Sequence, residues 1–240
     1  MMLILGIDTS SDICSVGISE NKKFIGEINI KLKRRHSERL LPIIKRVLFE
    51  TGKKINDLDG IVVTNGPGSF TGLRIGLSTV QAFKMSLDIP VYSISTLEYM
   101  AFVLSQHHKD LILVPTIDAR NKRVYTAVFT KIKEDQILNR LKEDQAVKID
   151  DIESLVKEYN KKIIVFGSGV DNNYEYFSKL SNDKIKIIKG IQNYGGFNLS
   201  KLGYMYLDNG ISSSFEELIP KYLKKPQARI NWERKYLRED

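Results

Sequence analysis

The sequence of 240 residues is poor in cysteine and has no apolar run long enough to cross a bilayer. Its one cysteine, Cys14, excludes an intramolecular disulfide and fits a reducing compartment. Cys14 lies within an alternating apolar pattern, which predicts a packed core thiol. The apolar start, Met1–Ile7, ends at Asp8 and carries no basic segment, so it predicts a buried strand and not a signal peptide. These absences predict a cytoplasmic protein with no membrane partner.

Acidic residues are outnumbered by basic ones, 29 against 37, which gives a net charge of +8. Most lysines stand singly, as they do on an ordinary solvated surface. The end of the chain is the exception, because basic and aromatic residues are interleaved there and could contact RNA phosphates and bases. A contact with a protein partner, or a solvated tail, would give the same composition. The residues concerned are Lys221, Tyr222, Lys224, Lys225, Arg229, Trp232, Arg234, Lys235, Tyr236 and Arg238.

Hydrophobic periodicity divides the chain into two similar halves. Three strands, Leu3–Asp8, Cys14–Ser19 and Phe24–Ile30, precede alternating helices and strands up to about residue 106. A strand ending in aspartate, a polar turn and an alternating strand recur 110 residues further on, over Ile117–Val128. This duplicated order predicts an α/β protein with the actin-like ATPase (ribonuclease H-like) fold, in which two lobes with mixed sheets face each other across a cleft.

The domain boundaries follow from the duplication. We predict an N-terminal lobe over residues 1–108, which carries two partner-facing helices, and a smaller second lobe over residues 109–195. A helix within residues 196–219 is expected to cross back to the first lobe. Residues 220–240 are predicted to form a basic tail outside the repeat.

The run Gly66–Gly76 is the most informative segment of the chain. It joins a short apolar strand, Ile61–Thr64, to a long helical pattern, Thr71–Leu87. Its glycines allow backbone angles that other residues resist, and they let another surface approach closely. The run lacks the Lys-Ser/Thr ending of a Walker loop, so the sequence excludes that kind of phosphate site.

Four segments point to one known family: Asp8–Ser10, His36–Pro42, Gly66–Gly76 and Asp118–Tyr125. Together they resemble the bacterial TsaB family of tRNA threonylcarbamoyladenosine biosynthesis proteins. The resemblance implies a non-catalytic partner of the larger paralogue TsaD, which transfers a threonylcarbamoyl group to an adenosine beside the tRNA anticodon. It also implies that the ATPase TsaE joins the complex, that tRNA is contacted through the complex, and that the chain forms a homodimer when alone. One departure is Arg123, where the family usually has glutamate.

Asp8, Thr9 and Ser10 match the first phosphate turn of actin-like ATPases, in which hydroxyls and backbone N–H groups hold phosphates and a carboxylate organises magnesium. The second turn, Ala119–Arg123, contains no glycine. Two further glycines, Gly167 and Gly169, could approach an adenosine after the strand Ile163–Phe166. We therefore predict at most weak binding of ATP or ADP, no required cofactor, no catalytic residue and no efficient hydrolysis. The alternative is that Asp8 only forms a turn.

His36 is the one histidine near a motif, and the residues around it do not predict a metal site. The resemblance implies a catalytic paralogue that holds its metal with two histidines four residues apart on this helix, a spacing that places both on one face. The corresponding position here is Leu40. Three alternatives remain at this point: an ATPase or sugar-kinase relative that uses the cleft, a metalloprotease, and an RNA-binding protein that uses the basic tail.

Two helices are apolar on more than one side, which is typical of helices that are fully buried or have a second partner. The pattern alone supports a lobe core and a partner surface equally, and the resemblance implies packing against the equivalent helices of TsaD or of a second copy. We expect Ile44→Glu or Leu48→Glu to leave a folded chain that no longer binds TsaD. The predicted interface residues are Leu40, Leu41, Ile44, Val47 and Leu48 on the first helix, and Gly72, Leu73, Gly76, Thr79 and Phe83 on the second.

Overall fold

A computed structural model describes residues 1–32, 35–106, 110–130, 137–191 and 193–223 of the chain. The basic tail from residue 224 onward, including Trp232 and Tyr236, lies outside the described residues. None of the helices in the described ranges is long and apolar enough to span a membrane.

The first half of the chain builds a five-stranded mixed sheet. Its strands are β1 (Leu3–Asp8), β2 (Ile13–Glu20), β3 (Lys23–Lys31), β4 (Gly60–Gly66) and β5 (Val91–Ser95). They lie in the order β3-β2-β1-β4-β5, with β1 antiparallel to β2 and parallel to β4. The α-helices described in this half are α1 (His36–Glu50), α2 (Phe70–Leu87) and α3 (Thr96–Ser105).

The second half repeats the same arrangement. Its strands are β6 (Ile112–Asp118), β7 (Arg123–Thr130), β8 (Asn139–Lys148), β9 (Ile163–Phe166) and β10 (Ile185–Ile188). They lie in the order β8-β7-β6-β9-β10, which matches the first sheet strand for strand. The α-helices of this half in the described ranges are α4 (Ile152–Val156), α5 (Ser168–Asn172) and α6 (Tyr174–Lys179), and α7 (Gly196–Leu207) follows them. The predicted duplicated α/β fold is confirmed.

The aspartate turns show the duplication at the level of single hydrogen bonds. The amide N–H of Ser10 donates to Oδ1 of Asp8 at 2.9 Å, and the amide N–H of Arg120 donates to Oδ1 of Asp118 at 3.0 Å. An aspartate side chain that accepts from the backbone two residues later stabilises a tight turn without glycine. Both halves therefore turn from their first to their second strand by the same local chemistry.

Two features of the second half differ from the sequence prediction. Strand β8 carries mostly charged and polar residues, so its hydrophobic periodicity is too weak to predict a strand. The apolar pattern of residues 171–180 predicts one helix, whereas the structure has two short helices, α5 and α6, because Asn173 leaves the helical region with φ −130° and ψ 33°.

Helix α7 lies against β1 and β2 of the first sheet at backbone contact distance. A Cβ atom on Gly17 would overlap the backbone of Gly196 and Phe197, and a Cβ on Gly6 would meet the amide nitrogen of Ser200 at 2.6 Å. Only glycine allows this approach, because every other residue places its Cβ in the contact. The helix after the second half is thereby held on the first sheet.

A buried polar cluster joins the halves. Glu98 of α3 accepts hydrogen bonds from Tyr206 of α7 and from Arg140 of β8, the latter at 2.7 Å. Arg140 also pairs with Asp144, and its guanidinium lies 4.7 Å from the ring centroid of Phe129. Burial, followed by the charge of Glu98, raises the pKa of the Tyr206 hydroxyl. The carboxylate of Glu98 on α3 therefore links β8 of the second sheet to α7, which packs on the first sheet.

We expect Arg140→Met to lower the free energy of unfolding by about 2 kcal/mol. Removing the cation leaves two mostly buried carboxylates, Glu98 and Asp144, without their charged partner. The measurement is chemical denaturation of the purified chain. Arg46→Met is the matched control, because Arg46 pairs with Glu50 on an exposed helix surface and should change stability by less than about 0.5 kcal/mol. Equal effects of the two substitutions would contradict the role of the cluster.

Candidate functional site

The glycine-rich run packs directly on the aspartate turn of the first half. A Cβ atom on Gly72 would overlap the carbonyl oxygen of Thr9, one on Gly76 would overlap the Thr9 hydroxyl, and one on Gly68 would lie 2.9 Å from the Ser10 Cβ. The amide N–H of Ser69 donates to the carbonyl of Ser10 at 2.7 Å. The surface that approaches these glycines so closely is therefore the chain's own first turn.

Two polar side chains of that turn already form hydrogen bonds within the chain. The Thr9 hydroxyl donates to the carbonyl of Gly72 at 2.8 Å, and the Thr64 hydroxyl donates to Oδ1 of Asp8 at 2.7 Å. Asp8, Thr9 and Ser10 are all buried, with at most 6% of their surface exposed. A phosphate would have to displace these contacts, so the turn is better suited to holding α2 on the sheet than to holding a nucleotide.

The second half offers similarly little room at its predicted nucleotide-binding residues. A Cβ on Gly169 would lie 2.7 Å from the Thr116 hydroxyl oxygen, and Gly167, with φ +103°, lies against the Thr116 carbonyl. These glycines let α5 pack on β6. In the second turn, Arg120, Asn121 and Lys122 adopt left-handed backbone angles with φ between 52° and 59° in place of glycine.

We expect the purified chain to hydrolyse ATP at less than about 0.1 per second, below the usual range of enzymes. The reason is that Asp8, Thr9 and Ser10 are buried, and that the Asp8 carboxylate and the Thr9 hydroxyl are hydrogen-bonded within the protein. The measurement is phosphate release from ATP and magnesium, with Asp8→Asn as the comparison. Faster turnover that is lost in Asp8→Asn would contradict this expectation.

The remaining candidate groups are buried or half-buried and separate from one another. His36 begins α1 and is 6% exposed, and its Nε2 has no hydrogen-bond partner within the described ranges. The described part of the chain brings together no three His, Cys, Asp or Glu side chains that could hold a metal ion. Arg123 is half-buried and donates to the carbonyl of Ala146 at 3.2 Å. Burial, followed by the charge of Asp8, raises the pKa of Cys14 to about 12, so it is the core thiol that its strand pattern predicts.

Most predicted interface residues of α1 lie in the core of the first lobe. Leu40, Ile44, Val47 and Leu48 are at most 6% exposed and belong to one cluster with the apolar side chains of β1 and β2. They have no free surface to offer a partner in the folded chain. The expectation that Ile44→Glu leaves a folded protein is therefore corrected, since a charge there would be placed in the core. On α2, Gly72, Leu73 and Gly76 are likewise buried.

A different set of side chains lies on the outside of the two helices. Leu41 is 47% exposed, Phe49 76% and Met85 77%, and each belongs to an otherwise polar helix surface. Thr79 and Phe83 are partly exposed. We call six of the exposed and partly exposed apolar side chains of these helices the outer α1–α2 face; they are Leu41, Phe49, Phe70, Ile75, Phe83 and Met85. The sequence prediction included Leu41 and Phe83 and missed the others.

The C-terminal segment Ser213–Tyr222 runs beside this face. The amide of Ser213 donates to the carbonyl of Val91 on the edge strand β5, and the amide of Lys221 donates to the carbonyl of Asn65. The Tyr222 ring stacks on Phe70 with centroids 4.9 Å apart. Residues up to Tyr222 thus belong to the first lobe. A variant that lacks only the tail should therefore keep residues 1–223.

Sequence comparison gives the chain clear relatives. The family model described as TsaD, tRNA N6-adenosine threonylcarbamoyltransferase, matches residues 17–232. The tRNA threonylcarbamoyladenosine biosynthesis protein TsaB of Bacillus subtilis is 29% identical over 96% of this chain and 98% of its own length. The protein of the same name from Buchnera aphidicola subsp. Schizaphis graminum is 34% identical over 70% of this chain and 79% of its own length.

Comparison with solved structures supports the fold. YeaZ from Pseudomonas aeruginosa aligns with a TM-score of 0.78 at 22% identity, over 93% of this chain and all of that one. A ROK hexokinase from Thermus thermophilus aligns with a TM-score of 0.50 at 12% identity, over 87% of this chain and all of that one. The chain therefore shares the two-lobed architecture of actin-like ATPases and sugar kinases.

Proposed function

Because the chain belongs to the TsaB family of tRNA threonylcarbamoyladenosine biosynthesis proteins, within the wider TsaD family, we propose that it is the non-catalytic partner subunit of TsaD. In this proposal TsaD carries out the transfer of the threonylcarbamoyl group to the adenosine beside the tRNA anticodon. The chain contributes a surface that holds TsaD in a competent conformation. Such a role needs no catalytic residue in this chain.

The observation that carries the proposal is the outer α1–α2 face. Leu41, Phe49 and Met85 expose about half to three quarters of their apolar surface on neighbouring helices. Large apolar side chains that are this exposed, on two helices that contact each other, are candidates for an interaction surface. Two helices that present such residues can pack against two helices of a partner, with apolar side chains buried at the centre and charged ones at the rim.

The complex would include further components. TsaE would join the TsaD-bound subunit, and tRNA would be contacted through the assembled complex in the cytoplasm. In the absence of TsaD, the same face would pair with a second copy of this chain and form a homodimer. A homodimer and a heterodimer that use one face exclude each other, so free TsaD would dissociate the homodimer.

An actin-like ATPase is the main alternative. The architecture shared with a sugar kinase favours it, but fold likeness at 12% identity is not evidence of activity. The buried, internally bonded turn at Asp8 and the packed glycines at Gly167 and Gly169 count against it. A metalloprotease is less well supported still, because His36 is followed by Leu40 where a second metal ligand would be needed.

The test is reconstitution of tRNA modification from purified components. The chain, TsaD and TsaE of the same organism are mixed with unmodified tRNA, ATP and threonylcarbamoyl adenylate, and each component is omitted in turn. We expect the modified nucleoside, measured by mass spectrometry after nuclease digestion, to fall at least about tenfold when the chain is omitted. An unchanged yield without it would refute the proposal.

A further inference from the structure

The chain that follows α7 crosses from one face of the first sheet to the other. Helix α7 packs on one face in a cluster with Ile4 of β1, whereas α1 and α2 pack on the other face in a cluster with Leu5. Ile211 lies next to the end of α7, because its amide donates to a carbonyl of that helix. Leu218 is fully buried in the α1–α2 cluster. The C-terminal segment Ser213–Tyr222 is therefore on the side of α1 and α2.

The C-terminal segment runs along α2 in the opposite direction. The side-chain amide of Gln81 donates to the Leu218 carbonyl at 3.0 Å, and the Tyr222 ring stacks on Phe70 at the start of α2. Helix α1 lies on the other flank of α2, because α1 packs on β2 and β3, α2 packs on β4, and the segment bonds to the edge strand β5. This side of the first lobe thus consists of three neighbouring elements, with α2 in the middle.

The C-terminal segment exposes large apolar side chains although its backbone is fixed. Phe215 is 43% exposed, Ile219 58% and Tyr222 41%, while Leu218 between them is buried. Because buried Leu218 and the backbone hydrogen bonds already hold the segment in place, little conformational entropy is lost when a partner covers it. The stacking of Tyr222 on Phe70 makes this apolar surface adjoin the outer α1–α2 face.

Resting on the proposed function, we propose that TsaD also covers the C-terminal segment, so that α2 lies at the centre of the interface. The size of a stable interface supports this, since each partner contributes roughly 20 to 30 residues. Helices α1 and α2 have 15 and 18 residues, of which six and five are buried. A partner confined to these helices would have to touch almost every other residue of both. Contact with the C-terminal segment removes that requirement.

The charges on this side of α2 favour a protein over RNA as the occupant. In α2, its C-cap and the C-terminal segment, three basic side chains are matched by three acidic ones: Arg74, Lys84 and Lys221 against Asp88, Glu216 and Glu217. A balanced surface does not attract the phosphates of a nucleic acid. Exposed apolar side chains among mixed charges are what a protein interface presents. We assign the segment to TsaD because it adjoins the face that the proposed function gives to TsaD.

The decisive variant is Ile219→Glu, with Ile211→Glu as its matched control. Both isoleucines are exposed, at 58% and 42%, but Ile211 lies beside the end of α7 on the opposite side of the sheet. We expect Ile219→Glu to weaken TsaD binding at least about tenfold in titration calorimetry, because its carboxylate is buried without a partner on association. Ile211→Glu should bind like the parent. Both should melt like the parent, since both positions are hydrated in the free chain.

Photo-crosslinking distinguishes a direct contact from an effect transmitted through α2. A photoreactive amino acid is incorporated at position 219 or, as the control, at position 211 of the full chain. Each protein is then irradiated in the presence of TsaD. We expect a covalent adduct with TsaD from position 219 and none from position 211. This measurement places no charge on the surface, so it decides the question even if Ile219→Glu lowers the melting temperature.

The outcomes separate this inference from the proposed function. If the parent chain does not bind TsaD, the proposed function itself has failed. If Phe49→Glu loses TsaD binding while Ile219→Glu keeps parental affinity and position 219 gives no adduct, the outer α1–α2 face stands and the inference about the C-terminal segment is refuted. A loss of affinity in Ile219→Glu without an adduct also refutes a direct contact. If Ile219→Glu weakens only self-association or tRNA binding, the segment has another occupant and the inference is overturned.

Discussion

Replacing Phe49 or Leu41 with glutamate is expected to give a folded chain that no longer binds TsaD. Both side chains are exposed on α1, at 76% and 47%, so a carboxylate there is hydrated in the free protein. On association it would be buried among apolar side chains without a partner, which costs several kcal/mol. At about 1.4 kcal/mol for each factor of ten, the affinity should fall at least about 100-fold. Calorimetric titration with TsaD measures it, and the yield of modified tRNA should fall in parallel.

Two control variants make this result interpretable. Leu141→Glu alters a side chain of similar exposure, 36%, on β8 of the second lobe, and it should bind TsaD with unchanged affinity. Ile44→Glu places the same charge one turn from Leu41 at a position that is 1% exposed, and it should unfold the first lobe. If Phe49→Glu and Leu41→Glu both melt like the parent and bind TsaD at parental affinity, the outer α1–α2 face is not the interface.

Gly72→Ala is expected to lower the free energy of unfolding by at least about 3 kcal/mol. Helix propensity alone predicts the opposite, because alanine is favoured over glycine inside a helix by about 1 kcal/mol. The added Cβ would, however, overlap the carbonyl oxygen of Thr9, which is backbone and cannot rotate away. Forcing α2 outward would also break the hydrogen bond from the Thr9 hydroxyl to the Gly72 carbonyl.

The matched control for Gly72 is Gly26→Ala. A Cβ on Gly26 would meet the Thr51 Cγ2 atom at 2.5 Å and no backbone atom within 4 Å. We expect the control to lower stability by less than Gly72→Ala does, because relief requires a shift of one side chain and not of a helix. For a chain of this size, a loss of 3 kcal/mol corresponds to a fall in melting temperature of about 6 to 12 °C. A variant Gly72→Ala that melts like the parent would show that the close packing on the first turn is not required.

Topology could be predicted from the sequence because it depends on local signals that occur twice. The aspartate at the end of β1 recurs at the end of β6, and alternating strands follow each one. Strand β8 could not be predicted in this way, since its residues are mostly charged and its place in the sheet depends on pairing with β7. When pairing with a neighbouring strand is what makes a segment a strand, its own residues need not show the alternating pattern from which strands are predicted.

The glycine-rich run shows what a sequence motif alone does not determine. The sequence by itself determined that some surface must approach residues 66–76 closely. It did not determine whether that surface is a phosphate or a protein backbone, because both need the same absence of Cβ atoms. The tertiary structure decided this by bringing Thr9 and Ser10 against residues about 60 positions away.

The same limit applies to α1. Its sequence determined an amphipathic helix, because apolar residues recur at helical spacing and charged ones lie between them. Only the tertiary structure decided that Ile44 is in the core while Leu41 and Phe49 are outside, since the boundary of an apolar stripe depends on how the helix is rotated on the sheet. Rotation is set by packing against β2 and α2, and those contacts involve residues that are distant in the sequence.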